Sequence, residues 1–222
     1  MRALIMAGGE DEKWTRLGGE GRRHFQLVNG ERVIDRIVRQ LRSRGVTDIG
    51  IICPEMPGYL IADTYRIEPT YAEWGHEALN GREHWSDTDR TLQVYGDTIF
   101  ADRAMDAIVR YPHRRFQMFG RFGNGVIKRG GGELFAMSFW PEQREAWSNA
   151  LAMGFELKAR GIIKRAGSWE GYRIMGGARG ANVGRHRLYP AVFTQIRDGL
   201  TDDFDTPEQF RKLLVLHRRK AA

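Results

Sequence analysis

The sequence predicts an open α/β sheet, and three observations lead to it. An apolar segment at 2–6 runs straight into Gly8-Gly9, a second lies at 48–53 with an amphipathic stretch between them, and the strand-then-helix order returns near residue 91. A strand ending in a glycine turn is where an α/β protein bares backbone amides to phosphate, although two glycines also make an ordinary tight turn.

Segments 2–6 and 48–53 read as buried strands, and between them Val33, Ile34, Ile37, Val38 and Leu41 recur at helical spacing with arginines on the other face. This is a βαβ unit, for which parallel strands and a right-handed connection are expected. Its helix should begin near Glu31, after the turn Val28-Asn29-Gly30, and end at Gly45 in a left-handed cap. A third strand is expected at 91–95, closed by Gly96-Asp97, with a helix at 102–109. Segments 116–119 and 133–139 read as further strands, separated by a basic, glycine-rich loop at 120–132. From 141 to about 161 the pattern is helical, with Trp147, Leu151 and Phe155 along one face. The last helix should run from Thr206-Pro207 to about His217, leaving a basic end at 218–222 that frays. No repeat or low-complexity linker divides the chain, so one domain over 1–222 is expected, with ligands beyond the carboxyl ends of the strands.

A chain of 222 residues with 41% hydrophobic content can bury a sizeable core. Its 35 Lys and Arg against 28 Asp and Glu give a formal charge of +7, which suits polyanionic partners such as nucleotides, sugar phosphates or nucleic acid. The arginines are scattered rather than gathered in one block, so most read as solvated surface. Cys53 is the only cysteine, which excludes an intrachain disulfide and fits a reducing compartment. No stretch approaches the ~20 apolar residues of a membrane span, and the amino end lacks the apolar core of a secretory signal. A cytoplasmic protein with no membrane partner is expected.

The loop from Glu10 to His24 is neither a Walker loop nor a dinucleotide fingerprint. Two basic pairs bracket it, Lys13 with Arg16 and Arg22 with Arg23, a pattern that can neutralise a triphosphate or equally a solvated surface loop. Asp97 closes a strand, and Asp202-Asp203-Phe204-Asp205-Thr206-Pro207 opens a helix. Carboxylates at such edges suit Mg²⁺, while Asp203 or Asp205 could instead cap the helix and Asp97 could simply shape a turn. His24 reads as a packing residue more readily than a substrate contact. His76, His84 and Asp87, among Trp74 and Trp85, have no familiar zinc spacing. That segment reads instead as a source of base and sugar contacts, with Ser86, Thr88 and Arg90 as candidates. Trp169-Glu170-Gly171-Tyr172-Arg173 fits either a substrate wall or a core stack. No Ser, Cys and His arrangement suggests a protein nucleophile.

Taken in order, Leu4-Ile5-Met6-Ala7-Gly8-Gly9-Glu10, Lys13-Trp14, Arg23-His24 leading to Val28-Asn29-Gly30-Glu31, Tyr95-Gly96-Asp97, and Asp202 through Glu208 resemble the nucleotidyltransferase-like proteins of the GT-A fold. These include NTP:sugar-1-phosphate nucleotidyltransferases and cytidylyltransferases. Gly132-Glu133-Leu134-Phe135-Ala136-Met137 adds to the likeness, which extends over most of the chain. The resemblance implies a three-layer α/β/α domain with an open mixed, mainly parallel sheet, of nucleotide-diphospho-sugar transferase type. It implies a Mg²⁺-dependent enzyme that moves an NMP group from an NTP to a phosphorylated acceptor, a sugar 1-phosphate, releasing pyrophosphate. Ala7, Gly8, Gly9, Glu10 and Lys13 would line the triphosphate, with Lys13 where an arginine is usual. Arg23 falls on the family's phosphate-binding lysine, Asp97 on its magnesium aspartate and Asp205 on the second carboxylate, with Asp203 the close competitor.

The sequence departs from the family at Glu10-Asp11, where a second glycine is usual, and at Arg23, a forked donor in place of a point charge. Two other readings follow. One is a GT-A glycosyltransferase consuming a nucleotide sugar, with the basic 120–132 loop facing an acceptor such as nucleic acid. The other is a nucleotide-binding module without catalysis.

Overall fold

The computed structural model describes residues 1–9, 11–70, 77–123, 125, 127 and 132–221. In chain order the elements are β1 (Arg2–Met6), α1 (Glu12–Arg16), β2 (Leu27–Val28), β3 (Glu31–Arg32), α2 (Val33–Arg42), β4 (Asp48–Ile52), β5 (Tyr65–Ile67), β6 (Thr91–Tyr95), β7 (Thr98–Ile99), α3 (Asp102–Val109), β8 (Gln117–Arg121), β9 (Glu133–Phe139), α4 (Arg144–Ala159), α5 (Ser168–Met175), β10 (Phe193–Gln195), β11 (Asp202–Asp203) and α6 (Pro207–Ala221).

Seven strands form one sheet in the order β10-β8-β9-β6-β1-β4-β5. β1 pairs in parallel with β4 and β6, β4 with β5, and β8 with β10, while β9 runs antiparallel to both β6 and β8. The sheet is therefore mixed and mainly parallel, as expected. Alternation along β1 sets the layers: Ala3, Ile5 and Ala7 join one buried cluster, Leu4 and Met6 the other. The first cluster takes the apolar stripes of α2, α3 and α6, and the second those of α4 and α5, which gives helices on both faces. In α2 that stripe is Val33, Ile34, Ile37, Val38 and Leu41, with Asp35 in the first turn and Arg39 and Arg42 in the last, favourable to the helix dipole.

Some boundaries differ from expectation. Glu31-Arg32 pairs back on Leu27-Val28 around Asn29 and Gly30, whose φ angles of 53° and 84° make a tight hairpin, so α2 starts at Val33. The strand expected at 116–119 runs from Gln117 to Arg121. Of the basic loop expected at 120–132, residues 124, 126 and 128–131 lie outside the described residues. The last helix, expected to end at about His217, extends to Ala221. The three-residue edge strands β5 and β10 and the helices α1 and α5 add to the expected pattern.

Two short strands outside the main sheet position the site. β7 and β11 pair antiparallel, Thr98 with Asp203 and Ile99 with Asp202. Asp97 precedes β7 and Asp205 follows β11, so this ladder brings together two parts of the chain that the sequence keeps far apart.

Candidate functional site

The carboxyl ends of β1 and β6 lie side by side, joined at their last pair by Met6 and Tyr95. The Gly96 amide donates to the Met6 carbonyl at 2.9 Å, and a Cβ on Gly96 would lie 2.9 Å from that same oxygen. Glycine is required here because the turn that presents Asp97 presses against the end of β1. Beyond Met6, the Ala7 amide donates to the Ile52 carbonyl at 2.8 Å, and a Cβ on Gly8 would meet Pro69 at 3.1 Å. A Cβ on Gly9 would meet nothing within 4 Å. The turn thus passes from packed surroundings at Gly8 to open room at Gly9. Glu10, the neighbouring candidate, lies outside the described residues.

Arg23 stands at the centre of the cluster. Its Nε donates to Asp11 Oδ1 at 2.8 Å, and its Nη1 donates to Asp97 Oδ2 at 2.8 Å and, at the longer distance of 3.5 Å, to Asp205 Oδ1. Burial opposes the charge on Arg23, but Asp97, Asp11 and Asp205 together outweigh it and hold the guanidinium above its ordinary pKa. Arg22 Nη1 donates to the Gly9 carbonyl at 2.9 Å and to Asp11 Oδ2 at 3.2 Å. Lys13 Nζ donates to Asp205 Oδ2 at 2.9 Å. Three cations and three carboxylates share one hydrogen-bonded array at the end of the sheet.

Asp11 is the residue that the sequence alone does not place. An acid in a phosphate loop reads as repulsion, yet its side chain is 8% exposed and accepts from both Arg22 and Arg23. It holds the two arginines together. The signal is present in the sequence as an acid and an arginine pair at opposite ends of one loop.

Local packing fixes the remaining members. Trp14 is buried against Phe204 and Phe210, with ring centroids at 5.7 and 6.1 Å, so α1 is anchored to the segment that carries Asp205. The α6 N-terminus is capped by Thr206 Oγ1, which accepts from the Gln209 amide at 3.2 Å, while Gln209 Oε1 accepts from the Asp205 amide at 2.7 Å. The cap is Thr206, and the Asp205 carboxylate reaches Lys13 and Arg23. Asp203, its competitor, is buried in the β11 ladder.

His24 is a packing residue. It is 2% exposed, its Nδ1 lies 2.8 Å from the Tyr59 hydroxyl, and that hydroxyl donates to the Ala7 carbonyl at 3.3 Å. With the phenolic proton on Ala7, the oxygen accepts from the imidazole, which sets the Nδ1–H tautomer. Burial, only partly offset by Asp97, lowers the His24 pKa to about 4, so the ring is neutral at pH 7.

Ser86 and Thr88 are not brought to this cluster. The Ser86 amide donates to Thr91 Oγ1, and Ser86 Oγ accepts from the amides of Thr88 and Asp89, forming a turn at the start of β6 and so at the opposite end of the strand from Asp97. Arg90 likewise donates to the carbonyls of Ile108 and Val109 at the end of α3. The structure thus places these three candidates for base and sugar contacts in local turns and helix-end contacts away from the cluster. Asp87 pairs with Arg144, His84 lies beside Tyr65, and Trp74 and His76 lie outside the described residues. A cavity of about 400 Å³ lined by Thr70, Arg82, Glu83 and Arg144 begins one residue beyond Pro69, the neighbour of Gly8.

Mg²⁺ takes one or two carboxylates and completes its shell with water and phosphate oxygens. Asp97 and Asp205 fit that donor set, because one Arg23 nitrogen already touches an oxygen of each. Among the described residues no group of three or more His, Cys, Asp or Glu is placed to hold a metal.

Comparison with solved structures bears on what this architecture is. A Bacillus anthracis protein described as a glucose-1-phosphate thymidylyltransferase, solved in complex with a sucrose, aligns with a TM-score of 0.64 at 16% identity, over 98% of this chain and 95% of that one. The chain has that fold. A CTP:phosphocholine cytidylyltransferase of Streptococcus pneumoniae aligns with a TM-score of 0.59 at 14% identity, over 97% of this chain and 98% of that one. The fold is therefore the α/β architecture of nucleotidyltransferases, as the motif order implied. No protein-family model and no curated protein sequence matches the chain. Among the described residues no helix is long and apolar enough to cross a membrane.

Proposed function

We propose that the chain is a nucleotidyltransferase that moves an NMP group from an NTP to a phosphorylated acceptor, a sugar 1-phosphate, with release of pyrophosphate. The observation that carries this reading is the convergence of Lys13, Arg23, Asp97 and Asp205 into one hydrogen-bonded array at the end of β1 and β6. Open α/β sheets take ligands at that edge, and phosphoryl transfer asks the protein mainly to position and to neutralise. The solved structures of this fold include enzymes whose descriptions name a sugar 1-phosphate and phosphocholine as acceptors, which supports a phosphorylated acceptor.

The balance of charge in the array supports a divalent cation. Lys13, Arg22 and Arg23 are matched by Asp11, Asp97 and Asp205, so little positive charge is left over for a triphosphate. Asp97 and Asp205 are the residues that would hold Mg²⁺, which when bound neutralises phosphate charge and orients the leaving group. Gly8 and Gly9 line the turn that faces the phosphates. Arg23 and Lys13 supply donors to the transferring group and to pyrophosphate, and Asp11 keeps Arg22 and Arg23 aimed. The acceptor phosphate is itself the nucleophile, so the reaction requires none from the protein.

The test is to incubate the protein with each NTP, Mg²⁺ and a panel of sugar 1-phosphates and to follow pyrophosphate. Turnover that is lost in Asp97→Asn and Asp205→Asn but kept in Asp203→Asn is expected. Absence of turnover with every pair, together with transfer from or hydrolysis of a UDP- or GDP-sugar, would replace this reading with glycosyl transfer. Nucleotide binding in a calorimeter without any turnover would leave a binding module.

A further inference from the structure

The positive charge of the chain is concentrated in one place. Residues 156–187 hold eight Lys and Arg against two Glu, whereas the rest of the chain holds 27 Lys and Arg against 26 Asp and Glu. The arginines are indeed scattered, but the acids that balance them elsewhere are missing from this stretch. Of its two glutamates, Glu170 is buried and paired with Arg173 at 2.9 Å, and Glu156 accepts from Arg160 at 3.3 Å. The other basic residues are exposed: Lys158 and Arg160 around the end of α4, Lys164 and Arg165 in the following loop, Arg179 after α5, and Arg185 and Arg187 further on.

Three contacts fold this stretch into a single surface. The Ile162 amide donates to the Leu157 carbonyl at 3.0 Å and turns the loop back on α4. Gly184 lies against Ile163, where a Cβ would be 3.2 Å from Cγ2. Arg173 Nη1 donates to the Val183 carbonyl at 3.0 Å. Lys164 and Arg185 are therefore the chain neighbours of two residues packed side by side, Ile163 and Gly184. Aromatic rings border the same surface. Phe122 and His186 stack at 4.6 Å with 8° between planes, and Trp169 lies 5.5 Å from His186 with the Arg173 guanidinium 5.4 Å from its centroid. His186 is exposed, and Phe122 and Trp169 are half-buried. The surface also adjoins the candidate site, because Ser168 Oγ and the Tyr95 hydroxyl are 2.7 Å apart and Tyr95 is two residues from Asp97.

We infer that the surface formed by residues 156–187 binds single-stranded nucleic acid, its arginines and lysines along the phosphates and its border of rings against the bases. Guanidinium forks match phosphate oxygens, and aromatic faces next to a basic track are how single strands are held without sequence readout. An anionic membrane surface would call for a basic amphipathic helix with a continuous apolar face. Here the cations come from two helix ends, a loop and a turn. This inference does not depend on the transfer reaction.

The experiment is fluorescence anisotropy of a labelled 30-nucleotide thymidine strand with the full chain at 50 and 200 mM salt. With about five phosphates neutralised, affinity should fall roughly 100-fold across that range, since each contact contributes about 0.7 to the logarithmic salt slope. Lys164→Gln and Arg185→Gln should each flatten the slope by about that amount. The combined variant Lys164→Glu, Arg165→Glu, Arg185→Glu, Arg187→Glu should lose binding, with an unchanged melting temperature confirming that it folds. Arg110→Glu with Arg115→Glu, the same kind of reversal on another face, should stay within about twofold of the unchanged protein. No binding at 50 mM salt, or equal loss in the control, would overturn the inference. Binding to phosphatidylglycerol vesicles but not to the strand, through the same residues, would replace it with a membrane-facing surface.

Discussion

Arg23 Nη1 donates to Asp97 Oδ2 at 2.8 Å, across 74 residues of chain, and the same nitrogen lies 3.5 Å from Asp205 Oδ1. One guanidinium thereby ties the turn after β6 to the segment before α6, while its Nε holds Asp11. Its side chain is 13% exposed, so these pairs are largely removed from solvent.

Replacement of Arg23 should therefore act on stability and activity together. Arg23→Ala takes the shared guanidinium from Asp97, Asp11 and Asp205, leaving Arg22 on Asp11 and Lys13 on Asp205, and should cost about 3 kcal/mol, near the low end for breaking a buried pair. In a chain of this length that is roughly 6–12 °C in melting temperature. Loss of a donor to the transferring group should lower turnover about 100-fold or more. Arg23→Lys restores the charge, but one ammonium cannot serve Asp11 and Asp97 through separate fork nitrogens. Melting should recover in part and turnover should not, as read by calorimetry and pyrophosphate release.

Lys13 and Trp14 are neighbours on α1 with opposite expectations. Lys13 is 54% exposed and its partner Asp205 31%, so the pair contributes at most about 1 kcal/mol, and Lys13→Ala should melt within a few degrees of the unchanged protein while losing activity. Trp14 is 3% exposed between Phe204 and Phe210, and Trp14→Ala should cost about 3–5 kcal/mol. Equal melting temperatures for the two variants would show that α1 is not anchored in this way.

The strands β1 and β9 and the helix α3 are legible in the sequence because each carries a strong periodic or apolar pattern over five or more residues. β5 and β10 are not, since three residues do not establish a period. The resemblance singles out Lys13, Arg23, Asp97 and Asp205, and the structure brings them together, two bases from the segment after β1 and two acids beside the short strands β7 and β11. What the sequence does not supply is pairing at a distance. The β7 and β11 ladder that joins Asp97 to Asp205 is two residues long on each side, and only that ladder separates Asp205 from Asp203. Asp11 is opaque for the same reason, because its meaning depends on Arg22 and Arg23 folding back over the loop.

The neutral His24 makes stability depend on pH. Burial lowers its folded pKa to about 4 from an ordinary 6.5, so between those values the unfolded chain binds a proton that the folded chain refuses. Stability from this group is fully present above pH 6.5, falls as pH drops toward 4, and levels off below that. The whole loss comes to about 3 kcal/mol, since each pH unit between the two values contributes about 1.4 kcal/mol. Urea midpoints at pH 7, 5.5 and 4.5 should decline in the unchanged protein more steeply than in His24→Gln, which has no proton to gain. Parallel slopes would remove His24 as the cause.

Gly9 and Gly96 give the sharpest contrast in the site. Both belong to turns at the ends of neighbouring strands, yet a methyl on Gly9 would meet nothing within 4 Å, whereas one on Gly96 would lie 2.9 Å from the Met6 carbonyl and 3.1 Å from both Ala7 and His24. Relief at Gly96 requires moving backbone, because the crowding atom is itself in the sheet. Gly96→Ala should cost about 1–3 kcal/mol and displace Asp97 from Arg23, lowering melting temperature and metal-dependent turnover together. Gly9→Ala should melt like the unchanged protein. Any loss it shows should lie in nucleotide affinity, measured by calorimetry, because the room it fills is the room proposed for phosphate. If Gly9→Ala binds nucleotide unchanged, phosphate does not sit over that turn, and the cradle must be sought nearer Arg22 and Arg23.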